Sequence, residues 1–203
     1  MSPQKMTFPQ PDSEVSAVPP EFSQEERTLL LKLAHEAIAS ALDRAEIPQA
    51  SPYPHLAQPR GAFTTLYWRG DLRGCVGYVA PMASLYQTVI ETARAAAFED
   101  TRFWPVTREE LPELQVSLSV LSKPVPILPE QVVIGHHGLV VSQAGQRGLL
   151  LPQVPVEHVW DRIAFLEQTC RKAGLPLDAW QKGAEIEAFT AEVFADENLK
   201  GLE

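Results

Sequence analysis

Three stretches of the chain repeat apolar residues at helical spacing, and each has recognisable end signals. The first opens with Ser23 three residues before Glu26, the spacing of a capping box, and its apolar residues fall on one face. The second follows Ser84 and ends at Phe98. The third ends before Gly174, which is typical of a helix stop. The predicted helices cover approximately residues 23–45, 84–98 and 157–173.

Elsewhere the apolar residues alternate with polar ones or form short runs between turn residues, which is the pattern of β-strands. Two pairs of such runs flank short turns and predict hairpins. Helices and hairpins do not alternate in a βαβ rhythm, so the pattern predicts an α+β fold with a mainly antiparallel β-sheet flanked by helices. The predicted strands are Gly61–Trp68 with Leu72–Tyr78, Leu114–Leu121, Val132–Ile134, Gly138–Ser142 with Arg147–Leu151, and Ile186–Phe194.

The first part of the chain differs in composition from the rest. Residues 1–22 are rich in Pro, Ser and Gln and poor in apolar residues, which indicates a disordered leader. Residues 23–203 then form one domain, since their length suits one large domain or two small lobes.

Charge and cysteine content narrow the class of protein. Lys and Arg number 17 against 26 Asp and Glu, giving a formal net charge of −9. An acidic chain without a basic stripe argues against non-specific binding to nucleic acid or to an anionic membrane. No apolar run approaches the length of a membrane span, and the two cysteines, Cys75 and Cys170, lie on segments of different character. A disulfide framework is therefore not expected, and a cytoplasmic location fits best.

The most unusual segment is Leu72-Arg73-Gly74-Cys75-Val76-Gly77. Glycine inside a strand marks a bulge, a bend or the close approach of another backbone or a ligand. We therefore expect the missing side chains of Gly74 and Gly77 to leave space beside the Cys75 thiol, and Arg73 to favour its thiolate. Cys75 is the candidate nucleophile, and its neighbours are candidate ligand contacts.

A second candidate segment joins two acids, a base and two aromatic residues on one loop: Glu99, Asp100, Arg102, Phe103 and Trp104. One interpretation is an Arg–carboxylate clasp that holds the loop over a hydrophobic plug. The other is a loop that faces a ligand. Arg147 and Gln153 either face the same cleft as Cys75 or lie where the ends of their strand reach solvent, and His137 either contacts a ligand or bonds backbone in its turn.

Three hypotheses for the chemistry stay open. Cys75 acts as a nucleophile or thiol carrier, with His137 or the acids of the loop as base. Alternatively the segment is a binding module that cradles a small ligand, a peptide or a partner's backbone. A metal site built from cysteines and histidines is the third, but their spacing does not follow a metal-ligand pattern, so no metal and no cofactor of its own is expected. Whether the protein is an enzyme is not decided by these residues.

Several ordered motifs together resemble one known family. They are Leu-Arg-Gly-Cys-Val-Gly at 72–77, Ala-Phe-Glu-Asp at 97–100, Leu-Pro-Glu-Leu at 111–114, His-Gly-Leu at 137–139 and Arg-Gly-Leu-Leu-Leu-Pro-Gln-Val at 147–154. From residue 23 to residue 194 the chain resembles the AMMECR domain family, whose bacterial and archaeal members are called AmmeMemoRadiSam system protein A. The departures are Val76 and Thr101, where the family commonly has Ile and Pro.

The resemblance implies an α+β fold of a larger and a smaller lobe, with the cysteine motif near a cleft between them. It implies a biochemical activity that is unsettled within the family. It also implies association with a Memo-like protein and a radical S-adenosylmethionine enzyme. Any radical chemistry would then use a cofactor carried by that partner.

Overall fold

Two antiparallel sheets and four α-helices form the part of the chain that the computed structural model describes, residues 20–47 and 53–197. The predicted α+β class with antiparallel sheets is confirmed. Most of the predicted leader, residues 1–19, and residues 48–52 of the proline-rich loop lie outside the described residues. The helices are α1 (Gln24–Asp43), α2 (Leu85–Phe98), α3 (Gln153–Glu157) and α4 (Arg162–Lys172). The strands are β1 (Ala62–Trp68), β2 (Asp71–Tyr78), β3 (Leu114–Leu121), β4 (Val125–Pro126), β5 (Gly138–Gln143), β6 (Gln146–Leu150), β7 (Glu185–Phe189) and β8 (Ala191–Ala195).

The first sheet has the strand order β2-β1-β3-β8, with β2 and β8 at its edges. Helices α1 and α2 cover one of its faces and form the largest apolar core with it. Ser23 caps α1 in the predicted capping box with Glu26, and Ser84 caps α2. Within this core the Thr64 and Thr92 hydroxyls satisfy each other at 2.8 Å, so the polar atoms of the two buried threonines are paired. This face of the sheet is therefore closed to ligands.

The second sheet has the strand order β4-β7-β5-β6 and carries its own core against α4. A smaller cluster contains Leu121 of the first sheet and Val140 and Phe189 of the second. The two sheets therefore meet through these three buried side chains.

The predicted final strand over residues 186–194 is in fact two strands in different sheets. β7 lies inside the second sheet, as expected of a strand with apolar residues on both faces, whereas β8 is an edge of the first. Thr190 separates them, because its N–H donates to the Ser122 hydroxyl and its C=O accepts from the Ser122 N–H, each at 2.9 Å. Thr190 therefore pairs neither with β5 of the second sheet nor with β3 of the first, and the chain passes from one sheet to the other at this residue.

Two other sequence predictions were wrong in their details. Residues 132–134 do not form a strand: they lead into a turn over residues 134–136, in which the Val133 carbonyl accepts the N–H groups of His136 and His137. The helix predicted over 157–173 starts only at Arg162, because Val159 has a φ of +54° and Asp161 caps the new helix by accepting the Ala164 N–H at 2.8 Å. Gly174 ends it with a φ of +74°, as expected.

Within the described ranges, no helix combines the length and the apolar character that crossing a membrane requires.

Candidate functional site

Cys75 lies on edge strand β2, opposite Thr65 of β1. Their side chains project from the face of the first sheet that the helices leave uncovered, because the alternate residues Thr64 and Leu66 are buried under α2. We call this the outer face; it also carries Phe63, Ser119 and Val193. The Thr65 hydroxyl donates to the Cys75 sulfur at 3.3 Å. Cys75 is partly exposed, whereas Cys170 is fully buried in the second core.

A pocket of about 520 Å³ opens beside this sulfur. One wall is the outer face of the first sheet, from Phe63 and Thr65 across to Ser119 and Val193. The opposite wall is formed by the turn before β5 and by α3, and it contributes His136, Gln153, Val156 and Glu157. The pocket thus presents one thiol, several small polar groups and an apolar surface together.

The backbone of Cys75 is held by two side chains of the loop that follows α2. Its N–H donates to Asp100 Oδ2 at 2.8 Å, and its C=O accepts from Arg102 Nη2 at 3.3 Å. Asp100 and Arg102 also pair with each other through two hydrogen bonds of 2.9 and 2.7 Å. The Arg102 guanidinium and then the Cys75 N–H hold the pKa of Asp100 well below its usual range, so Asp100 is ionised at neutral pH.

This arrangement changes what the edge of β2 is able to bind. A free edge strand offers unpaired N–H and C=O groups to a partner strand. At Cys75 both groups are already satisfied, by Asp100 and Arg102. Addition of a partner backbone at this position, one of the binding modes open from the sequence, would require displacing that pair.

Arg73 does not have the predicted role of favouring the Cys75 thiolate, because its guanidinium is paired elsewhere. The ladder between β1 and β2 shifts register here, with Leu66 opposite Gly74 and Tyr67 opposite Leu72, so Arg73 lies in a bulge. Its guanidinium forms a bidentate pair with Glu110 at 2.7 and 3.1 Å and donates to the carbonyls of Trp104 and Pro105. Arg73 therefore ties β2 to the loop before β3, and its charge is engaged there.

The two glycines of the motif are required by neighbouring protein atoms. A Cβ at Gly74 would lie inside contact distance of the Ala96 carbonyl of α2, and a Cβ at Gly77 would overlap the Phe63 ring. The expectation that they leave open space for a ligand is therefore wrong, because a helix backbone and an aromatic ring fill those positions. The hollow beside Cys75 lies over the outer face, opposite the face on which Gly74 meets α2, and the Phe63 ring that covers Gly77 is part of its wall.

Asp100 and Arg102 form the predicted Arg–carboxylate pair, but the loop does not cover a hydrophobic plug. Phe103 is only partly buried and has the Arg102 guanidinium over its ring, 5.5 Å from the centroid. Trp104, which follows it, is 89% exposed, and Glu99 is exposed at the end of α2. A ligand-facing role for Glu99 and Phe103 stays a prediction.

The remaining candidates divide between the pocket and other places. Gln153 lines the pocket. His137 Nδ1 accepts the Val133 N–H at 3.1 Å, and burial followed by the neighbouring His136 lowers the His137 pKa. Arg147 lies on β6 and pairs with Glu187 at 3.3 Å. Neither His137 nor Arg147 is among the residues that line the pocket.

Sequence reasoning overlooked most of the pocket lining, including Phe63, Thr65 and Ser119, and it considered His136 only as a possible metal ligand. The alternation along β1 and β3 does place the first three on one face. The alternation does not show that a pocket lies over this face, because the pocket depends on where α3 and the turn at His136 lie in the folded protein. Among residues 20–47 and 53–197, no group of three or more His, Cys, Asp or Glu side chains is arranged to hold a metal ion.

Comparison with known proteins places this geometry in context. The family model described as AMMECR1 matches residues 31–194. A protein of Methanosarcina acetivorans is 40% identical over 191 residues, covering 89% of this chain and 96% of that protein. A protein of Thermococcus gammatolerans is 42% identical over 187 residues, covering 85% of this chain and 91% of that protein. The crystal structure of the uncharacterized protein PH0010 from Pyrococcus horikoshii is similar with a TM-score of 0.65 at 40% identity, covering 83% of this chain and 90% of that one.

Proposed function

The chain belongs to the AMMECR1 family, and from that premise we propose that it binds a ligand in the pocket beside Cys75, a small molecule or a segment of a partner protein. The observation that supports this most directly is the position of the Cys75 sulfur on the wall of an open pocket of about 520 Å³. Ligand pockets in proteins commonly have volumes of about 300 to 1,000 Å³. In this proposal the pocket is the cleft between the two lobes that the family resemblance implies.

The lining suits a ligand with an apolar body and a few polar groups. Phe63, Val156 and Val193 supply apolar surface, and burying it against a ligand would be favourable by about 25 cal/mol per Å². Thr65, Ser119 and Gln153 supply hydroxyl and amide groups that would fix its orientation.

Capture of thiol-containing fragments by Cys75 tests this binding function. We expect a disulfide-fragment library under partly reducing conditions to give adducts at Cys75 that differ strongly between fragments, measured by intact-protein mass spectrometry. Val156→Trp should abolish the selective adducts by filling the pocket. Val133→Trp is the matched control, because Val133 is 52% exposed against 55% for Val156 and lies outside the lining. Adducts that follow only fragment reactivity, or are unaffected by Val156→Trp, would reject the proposal.

A second function, chemistry at the Cys75 thiol, is favoured by one specific contact. The Thr65 hydroxyl donates to the sulfur and would stabilise negative charge on it. His136 lines the same pocket, and we infer that it takes the thiol proton in this function. In this account His136 replaces His137 as the base, and the thiolate adds to an electrophilic carbonyl carbon of the substrate. The C=O π bond breaks, its electron pair goes to the oxygen, and His136 returns the proton to that oxygen.

His136→Ala is the variant that separates chemistry from binding. If Cys75 is activated, the variant should slow modification of Cys75 by a chloroacetamide probe. His158→Ala is the control, since His158 stacks on Trp160 and lies outside the pocket lining. Equal rates in both variants and in the wild type would leave Cys75 as a ligand contact and remove the chemical function.

We further propose that the protein works in the cytoplasm beside a Memo-like protein and a radical S-adenosylmethionine enzyme, without nucleic acid or membrane partners. The support is the family resemblance for the two proteins and the net charge of −9 for the expected absences. Affinity purification of the tagged chain at native expression level tests it. Failure to enrich either protein over an untagged control would remove that part of the proposal.

A further inference from the structure

We propose that the ligand of the pocket beside Cys75 carries an alkylammonium group, and that the Glu157 carboxylate binds this cation. The inference rests on the proposed function, because it names the chemical class of the ligand that the same pocket takes. It does not require Cys75 to be reactive. The cation belongs either to a free amine or to a lysine side chain of a partner protein, since both present the same group on an apolar stem.

Glu157 is the last residue of α3, and its position in that helix directs its side chain to the pocket. Residues three and four apart share one face of a helix. The residues that α3 contributes to the pocket lining, Gln153, Val156 and Glu157, have this spacing. Pro155, which does not belong to that face, is buried instead. The carboxylate therefore lies on the wall opposite the outer face of the first sheet.

The charge of Glu157 is not engaged by the protein. Within the part of the chain that the structure describes, its carboxylate has no ion pair and no side-chain hydrogen bond. Two acidic side chains that contact the cysteine motif differ in this respect. Asp100 is paired with Arg102, and Glu110 is paired with Arg73. Glu157 is thus the carboxylate at this site that is free to bind a cation.

The pocket lining contains no group that would balance an anionic ligand. Among the described residues that line the pocket, none is lysine or arginine, and Glu157 is the single acidic one. Arg102 lies behind Cys75 with Nη2 on its carbonyl, but its charge is balanced by Asp100. A phosphate or carboxylate group would therefore meet an unpaired like charge, which selects against such ligands.

The rest of the lining suits an ammonium group on an apolar stem. A primary ammonium carries three hydrogen-bond donors and no acceptor. The hydroxyl oxygens of Thr65 and Ser119 and the amide oxygen of Gln153 are acceptors, and Thr65 keeps its lone pairs because its own proton points to Cys75. The Phe63 ring offers a face that attracts cations, with apolar side chains around it.

The test compares three thiols of equal chain length that differ only at the end remote from the sulfur. They are aminohexanethiol, hydroxyhexanethiol and mercaptohexanoic acid, each added in equal amount as its symmetrical disulfide to the full chain under partly reducing conditions. The readout is the ratio of Cys75 adducts by intact-protein mass spectrometry. We expect the amine adduct to exceed the hydroxyl adduct about two- to fivefold, the range of a solvent-exposed ion pair, and the carboxylate adduct to be the least abundant.

Two glutamate variants separate a local contact from the general attraction of an acidic protein for cations. Glu157→Gln should reduce the ratio of amine to hydroxyl adduct to about one. Glu25→Gln removes the same charge from a chain of net charge −9, but on α1, which covers the opposite face of the first sheet, so the preference should persist. A preference that survives Glu157→Gln, or that falls equally in both variants, would overturn the proposal.

A pair of peptides distinguishes the two sources of the cation. The probes are disulfides of acetyl-Cys-Gly-Lys-amide and acetyl-Cys-Gly-Gln-amide, which present the same backbone with and without the ammonium group. A Glu157-dependent preference for the lysine peptide would support a partner protein as the source, and a preference confined to the alkyl thiols would support a free amine. Absence of a preference in both series would overturn the inference.

The same measurements keep this inference separate from the binding function on which it rests. Hydroxyl adducts that disappear in Val156→Trp, without any preference for the amine, would leave the pocket as a binding site and overturn the ammonium inference alone. If no probe gives adducts that are sensitive to Val156→Trp, both proposals are overturned.

Discussion

Asp100 accepts the backbone N–H of Cys75 at 2.8 Å, although 25 residues separate the two in the chain. The side chain of Asp100 is only 6% exposed, and its partner Arg102 donates to the carbonyl of the same cysteine. The position of the thiol is therefore set by the loop that follows α2, acting on the backbone of an edge strand. Arg73, the basic residue nearest to Cys75 in the motif, is engaged with Glu110 instead.

Replacing Asp100 by Asn should destabilise the protein by about 1 to 3 kcal/mol at neutral pH, the usual effect of weakening a charge-assisted, largely buried hydrogen bond. The measurement is urea unfolding. Asp178→Asn is the control, because Asp178 forms an exposed pair with Lys182 and should have little effect. Equal losses in the two variants would contradict a positioning role for Asp100.

The same residue predicts a pH dependence with a defined sign. Because Arg102 and then the Cys75 N–H lower the pKa of Asp100 in the folded state, its stabilisation is fully present above the unfolded pKa of about 3.9. That stabilisation is lost progressively as the pH falls below this value. The gap in unfolding free energy between wild type and Asp100→Asn should therefore be constant from pH 5 to pH 7 and narrow below about pH 4. A gap that grows on acidification would show that the sign is wrong.

Arg73→Lys should lower stability measurably, because lysine cannot replace a bidentate pair together with two bonds to loop carbonyls. We expect a loss of about 1 to 3 kcal/mol by thermal or urea unfolding. Arg69→Lys is the matched control: Arg69 also pairs bidentately with a glutamate, but its side chain is 61% exposed against 13% for Arg73. A larger effect at Arg69 would contradict the structural role assigned to Arg73.

Gly74→Ala should cost about 1 to 3 kcal/mol or prevent folding, since the added methyl group would collide with the Ala96 carbonyl of α2. Gly70→Asn is the control, because position 70 has open space around it and a φ of +89° that asparagine tolerates better than most residues. A stable Gly74→Ala protein whose pocket gains a ligand contact would restore the original interpretation of this glycine as a space for a guest.

The fold was predictable where the signal is local. Ser23 and Glu26 mark the start of α1, and the alternation of β1 and β2 around Arg69 and Gly70 marks a hairpin whose turn has φ values of +54° and +89°. Thr190 shows the limit of this approach. Alternation continues through it, and only its pairing with Ser122, 68 residues away, reveals that the chain changes sheets there.

The sequence predicted which strand carries the candidate site, but it did not predict which residues surround Cys75. The motif correctly singles out a segment where glycine is required, but the requirement comes from Ala96 and Phe63, which local sequence does not indicate. The partners of Cys75, namely Thr65, Asp100 and Arg102, come from three separate points of the chain. Their convergence depends on packing of α2 and β1 against β2, which periodicity alone does not specify.

Native-state alkylation of the two cysteines tests the central claim most directly, since that claim is that Cys75 faces an open pocket. Cys170 has no exposed surface, and burial raises the pKa of its thiol. Iodoacetamide at neutral pH should therefore modify Cys75 first and leave Cys170 unmodified until the protein unfolds, as read by peptide mass spectrometry. Modification of both at the same rate, or of neither before unfolding, would contradict the account.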